Sequence, residues 1–151
     1  MDANAPRRLA YQYAQFIDDR SFERLAEIMT NDVQITARLF HCDGLSAFVE
    51  QVSLLHNYES TLHLVANQFG QWEEGVYSGE TYCIANHIYS VDGVGWKWEV
   101  GVRYQDRIIL QDGVALYSHR HLNVLWEQDQ PLLAPGARHG QGEISHEKTA
   151  G

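Results

Sequence analysis

The stretch TLHLVANQFGQWEEGVYSGETYCIANHIYSVDGVGWKWEVGVRYQDRIILQDGVALYSHRHLNVLW, residues 61–126, decides the fold. Its apolar residues alternate with polar ones at a period of two, which is the signature of a strand with one buried face. Turn signals cut it into four. Glu73-Glu74 followed by Gly75 is the first, and Asp92-Gly93 and Asp112-Gly113 are strong hairpin signals. The strands predicted between them are Thr61–Trp72, Val76–Ser90, Trp96–Leu110 and Val114–Trp126, an antiparallel meander.

Upstream the period is that of a helix. Pro6 suits a first helical turn, and Leu9, Tyr13, Phe16 and Ile17 recur at three- and four-residue spacing until Asp18-Asp19-Arg20 breaks the pattern. Ser21 reads as the N-cap of a second helix carrying Phe22, Leu25, Ile28 and Met29, stopped by Thr30-Asn31-Asp32. A short strand, Val33–Leu39, follows. Asp43 reads as the cap of a third helix whose apolar stripe is Leu45, Phe48, Val49, Val52 and Leu55. Helices first and strands last predict an α+β domain, with three N-terminal helices packed on one face of a curved, mostly antiparallel sheet. The domain is expected over 1–128. Residues 129–151, polar and punctuated by Pro131, Pro135, Gly136, Gly140 and Gly142, read as a tail.

The chain has 151 residues, enough for one domain with a real core, and 44% hydrophobic and 21% charged residues are ordinary for a globular protein. Twenty acidic against eleven basic residues give a net charge of −9. That sign repels phosphate backbones and anionic bilayers, so neither nucleic acid nor membrane is an expected partner. No apolar run approaches the roughly 18 residues of a membrane span, and the N-terminus has no apolar signal core, so the cytoplasm is the expected compartment. Cys42 and Cys83 lack metal or redox spacing and read as reduced, partly buried thiols.

Several polar residues sit where apolar ones are expected. His63 shares a strand face with Thr61, Val65, Asn67 and Phe69. It is either a satisfied core histidine or a general base. In the second role it needs a carboxylate on its other ring nitrogen to fix the tautomer. Asp18, at the end of an apolar helix face, is the candidate partner, unless it merely ends the helix. Arg120 lies among Leu116, Leu122 and Val124, and an arginine there needs a partner. It either pairs with Asp106 or faces a pocket. Tyr104 and Asp106 share the apolar face of their strand with Trp98, Val100 and Val102. His87 shares one with Cys83, Ala85 and Tyr89. Tyr13 and Asp18 are about 140° apart around a helix, so both reach one pocket only if it wraps the helix end.

Tyr13-Ala14-Gln15-Phe16-Ile17-Asp18-Asp19-Arg20-Ser21-Phe22, then Thr30-Asn31-Asp32-Val33, resembles the opening of SnoaL-like proteins of the NTF2-like superfamily. Thr61-Leu62-His63-Leu64-Val65-Ala66-Asn67 is similar to the "T-x-H-x-x-x-N" strand of that group. Tyr104-x-Asp106 and Arg120 ahead of Trp126 resemble its closing strands. The resemblance covers residues 8 to 127 and implies a cone-shaped α+β barrel around an apolar pocket. Within the superfamily the pattern is similar to scytalone dehydratase, bile acid 7α-dehydratase and hexachlorocyclohexane dehydrochlorinase.

That resemblance implies catalytic roles for His63, Asp18, Tyr13 and Arg120, and a substrate-binding role for His87. Tyr104, Asp106, Phe16, Trp98 and Leu122 are the other expected pocket residues. The implied activity is a cofactor-independent lyase. His63, oriented by Asp18, removes a carbon-bound proton from a small hydrophobic cyclic or aromatic substrate, and water, HX or formaldehyde leaves. No cofactor and no metal are expected, and a homodimer or homotrimer is. The alternatives are a ketosteroid-isomerase-like isomerase or polyketide cyclase with Asp106 as base, and a non-catalytic ligand-binding or protein-docking module. Gly113-(x5)-His119-Arg120-His121 also matches the start of a cupin metal motif, but the glutamate that motif needs falls late, at Glu127. His119 and His121 are therefore expected on the outer face.

Overall fold

A computed structural model describes residues 2–133 together with Gly136 and Arg138. Helix α1 spans Ala5–Asp18 and buries Leu9, Tyr13, Phe16 and Ile17, the face its periodicity marked. Strand β1 (Met29–Ala37) and the short β2 (His41–Asp43) form a hairpin, followed by α2 (Leu45–Ser53). The meander is β3 (Ser60–Glu73), β4 (Val76–Val91), β5 (Val94–Gln111) and β6 (Val114–Pro131). The six strands make one curved, unclosed sheet in the order β2-β1-β6-β5-β4-β3. All neighbours are antiparallel except β1 and β6.

Three turns make the meander. Glu74-Gly75, Asp92-Gly93 and Asp112-Gly113 each place both central residues at positive φ, between 50° and 80°. This is the two-residue turn whose twist matches that of paired strands. Tyr77 depends on a different use of glycine. Gly70 and Gly79 are cross-strand partners, and Tyr77's phenol ring occupies the space that a Cβ on either would need.

Several expectations change. Three N-terminal helices are not present. Phe22–Glu27 is a 3-10 turn, because Thr30 already belongs to β1 and leaves too few residues for a longer helix. A further 3-10 turn, Leu54–Asn57, extends α2. Asp43 does not cap α2. It lies in β2, where its carboxylate accepts from Gln34 Nε2 at 2.7 Å, and Gly44 takes the cap position. The sheet is not a closed barrel: β2 and β3 remain edges. β6 continues to Pro131, past the point where alternation fades, and most of the expected tail lies outside the described residues.

β-Bulges also shift strand phase, since one extra residue turns every later side chain to the other face. In β3 the register jumps between Val65 and Gln68. Gln68 therefore points inward, donating to the Pro6 carbonyl and to Thr81 Oγ1, both at 3.0 Å. Phe69, expected beside His63, is 52% exposed on the other face. In β6 a bulge at Ser118 brings Tyr117 into the core, fully buried, where simple alternation places it outside.

Gly79→Ala should destabilise the protein by about 1–3 kcal/mol in a urea unfolding series, because the new methyl must displace the Tyr77 ring or the β3 backbone. Gly75→Ala, where a Cβ meets nothing within 4 Å, should lose less, through backbone strain alone.

Candidate active site

Helices α1 and α2 and the concave face of the sheet enclose a cavity of about 730 Å³. Ile17, Phe48, Val52, Leu55, Val100, Val102 and Leu122 supply its apolar wall. Tyr13, His63, His87, Trp98 and Tyr104 bring polar atoms or aromatic faces to it, and Arg38, Gln51, His121, Asn123 and Glu127 lie on its lining as well. Its size and largely apolar wall suit a small organic molecule.

The structure joins Asp18 and His63 across the end of α1 and the start of β3. His63 Nδ1 lies 2.7 Å from Asp18 Oδ1. A carboxylate there accepts, so Nδ1 carries a proton, and in the neutral imidazole the lone pair lies on Nε2. The His63 backbone N–H donates to Asp18 Oδ2 at 2.9 Å, and the Thr61 hydroxyl to Oδ1 at 2.9 Å. Burial by itself raises a carboxyl pKa. Here the hydrogen bonds from the His63 ring and backbone, reinforced by Thr61, outweigh it and hold Asp18 below its ordinary value. Asp18 thus stays anionic and fixes the ring.

His87 lies beside this pair, its ring centroid 6.1 Å from that of His63. Its Nδ1 is 3.1 Å from the Trp98 carbonyl oxygen, which can only accept, so its Nε2 also keeps a lone pair. Trp98 covers the His87 ring at 4.2 Å between centroids. Burial pulls His87 down to about 4, with the Trp98 carbonyl opposing, so it is neutral at pH 7. Burial also lifts Tyr13 to about 12 despite the nearby Arg120 guanidinium. Its hydroxyl keeps its proton and is a donor at neutral pH.

Arg120 and Asp106 form the ion pair that was one of the two sequence alternatives. Arg120 Nε and Nη2 donate to the two Asp106 oxygens at 2.7 and 2.8 Å, and Nη2 also donates to Tyr117 Oη at 2.9 Å. Arg120 is 1% exposed. Its guanidinium lies 4.4, 4.0 and 4.4 Å from the ring centroids of Tyr13, Tyr104 and Tyr117. Neither Arg120 nor Asp106 lines the cavity; they sit behind Tyr13 and Tyr104. Phe16 is also displaced from the expected pocket: it is buried, with Arg24 over its ring at 4.3 Å.

The expected residues therefore separate into two groups. Asp18, His63, Tyr13, His87, Tyr104, Trp98 and Leu122 converge on the cavity or its dyad; Arg120, Asp106 and Phe16 do not. Sequence reading missed Thr61 as a partner of Asp18. Phe48, Val52 and Leu55, read only as the apolar stripe of a helix, line the cavity as well, since such a stripe looks the same whether it faces a core or a cavity. His121, expected outside, reaches the cavity, while its Nδ1 and His119 Nε2 both contact the Thr36 hydroxyl, at 2.7 and 3.2 Å. Among the described residues, no three His, Cys, Asp or Glu side chains converge as a metal set would. Cys42 and Cys83 are free and buried, and burial raises Cys83 to about 11.

The family model for the SnoaL-like domain matches residues 2–121. Among solved structures, the chain is similar to a protein of Novosphingobium aromaticivorans DSM 12444 provisionally named a scytalone dehydratase. The TM-score is 0.75 at 20% identity, covering 87% of this chain and 89% of that one. It is also similar to the hexachlorocyclohexane dehydrochlorinase LinA-type3 of Novosphingobium barchaimii LL02, with TM-score 0.73, 18% identity, and 86% and 89% of the two chains covered. A third similar structure is the Kfla4162 protein of Kribbella flavida, at TM-score 0.76, 15% identity, and 84% and 93% coverage. At these identities the likeness is one of fold. No curated protein matches the sequence.

Two stability measurements follow from this geometry. Asp106→Asn should cost about 3–5 kcal/mol, because it leaves a buried guanidinium without its counter-charge. For His87, the folded protein resists a proton that the unfolded chain accepts below pH 6.5. Stability should therefore fall as pH drops from 6.5 towards 4, by up to about 3 kcal/mol. His87→Gln should flatten that limb in denaturant titrations between pH 6.5 and 4.5.

Proposed function

Since the chain belongs to the SnoaL-like domain family, we propose that it is a cofactor-independent lyase that dehydrates a small, hydrophobic, cyclic or aromatic substrate. The observation that carries this reading is the 2.7 Å contact between His63 Nδ1 and Asp18 at the wall of a large apolar cavity. An oriented imidazole whose Nε2 faces a largely apolar cavity is suited to removing a proton from carbon.

In this reading His63 Nε2 takes a proton from the carbon next to an activating carbonyl or ring. The C–H electrons form the new double bond and the C–O bond to a neighbouring hydroxyl breaks. That oxygen leaves as water after receiving a proton from the His63 imidazolium or the Tyr13 hydroxyl. Asp18 stabilises the imidazolium. Neutral His87, with its Nε2 lone pair, accepts from a substrate hydroxyl and orients it. Arg120 does not touch substrate; with Asp106 it stiffens Tyr13 and Tyr104 from behind. Loss of HX or formaldehyde uses the same base.

The isomerase or cyclase alternative with Asp106 as base has less support, because both of its oxygens are held by Arg120 inside the core. Self-association fits the same reading. Leu62 and Leu64 are about half exposed on the face of β3 away from the cavity, and we assign that face to a second copy of the chain.

The test is an absorbance assay of purified protein with hydrophobic β-hydroxy ketones and aryl alcohols, following a new conjugated chromophore. Wild-type turnover should be unchanged by EDTA and should fall about 10²–10⁴-fold in His63→Ala and in Asp18→Asn. Turnover indifferent to both substitutions would refute the dyad as the base.

A further inference from the structure

Helix α1 ends in a Schellman motif. Ser21 N–H reaches back to the Phe16 carbonyl at 2.9 Å, and Arg20 N–H to the Ile17 carbonyl at 3.2 Å. The residue at the left-handed position of such a motif is usually glycine, since a Cβ there is strained. Here it is Arg20, with φ of 59°. A side chain kept at a position whose backbone favours none invites the question of what it does.

The Arg20 side chain folds back beneath the helix end. Its Nη1 donates to the Ile17 carbonyl at 2.9 Å and to Thr61 Oγ1 at 2.8 Å. A guanidinium only donates, so the Thr61 oxygen accepts and its single proton is left for Asp18 Oδ1, 2.9 Å away. Asp18 Oδ1 in turn receives His63 Nδ1–H. Arg20, Thr61, Asp18 and His63 thus form one connected network: donors run from the helix terminus through Thr61 to Asp18, and His63 donates to the same carboxylate from the other side.

We propose that Arg20 is the positioning residue of the His63–Asp18 pair: it turns Thr61 into a dedicated donor that clamps the Asp18 carboxylate, and so the His63 ring, in one orientation. This rests on the dyad reading above. It adds that the clamp originates outside the cavity, in a residue that does not line it.

Arg20→Gly separates the side chain from the backbone it strains. Glycine relieves the left-handed position, so the thermal midpoint should stay within a few degrees of wild type. The Nδ1–H proton of His63, followed by NMR without substrate, should exchange with solvent about ten-fold faster, because Thr61 is no longer fixed as a donor and the carboxylate is held by the His63 backbone N–H alone. Thr61→Val should reproduce the faster exchange, and Arg20→Lys, which can still donate to Thr61, should restore most of the protection. Unchanged exchange in Arg20→Gly would overturn the positioning role while leaving the dyad intact. Faster exchange that merely tracks a lower thermal midpoint would overturn it too. A lack of turnover on every substrate tried affects only the lyase reading, since exchange is measured on the free protein.

Discussion

A guanidinium in the middle of the core is the constraint around which the rest is arranged. Removing an arginine from water is tolerable only where opposite charge and hydrogen-bond acceptors are supplied. The sheet meets this by register: Asp106 and Arg120 are direct partners across β5 and β6. The bulge at Ser118 brings Tyr117 to the same side. Three phenol rings then cover the faces of the cation. Because Tyr13 belongs to α1 and Tyr104 to β5, the same cation locks a helix against the sheet and sets the inner wall of the cavity.

The two buried-facing carboxylates show how environment divides roles. Asp106 has both oxygens engaged by one arginine and is shut away from the cavity. Asp18 is also fully engaged, but one of its donors is a histidine ring whose other nitrogen remains free in the cavity wall. The first arrangement consumes its hydrogen-bonding capacity in holding the fold; the second transmits it to a group that can still react. His87 adds a second imidazole, held neutral by burial and oriented by the Trp98 carbonyl. The cavity wall therefore carries two imidazole Nε2 atoms and the protonated Tyr13 hydroxyl.

Much of this was legible from residue order alone. The change of period near Thr61 and the Asp-Gly turns mark the meander to within a few residues, since both are local. The pairing of Asp18 with His63, 45 positions apart, came from the resemblance and not from spacing. What escaped reading is what depends on counting through irregular backbone. Bulges in β3 and β6 reverse side-chain phase, so Phe69 and Tyr117 lie on faces opposite to those their positions suggest. The run from Phe22 is too short for an α-helix because β1 begins at Met29, a tertiary demand invisible in the apolar spacing. Arg20 looked like a helix breaker, and only its left-handed backbone and its reach to Thr61 distinguish it.

The two-residue turns of the meander bear on the order in which the molecule can assemble. Each hairpin closes a short loop, whereas β1 joins β6 through contacts such as Thr36 with His121, separated by 85 positions. Loop-closure entropy rises with such separation, so the sheet of β3 to β6 can form before α1 and β1 dock on it. The cavity has no roof and His63 no carboxylate until that docking is complete. Completion of the site is then a property of the last assembly step. Fraying of the first twenty residues would dismantle the site while most of the sheet still gave the spectrum of a folded protein.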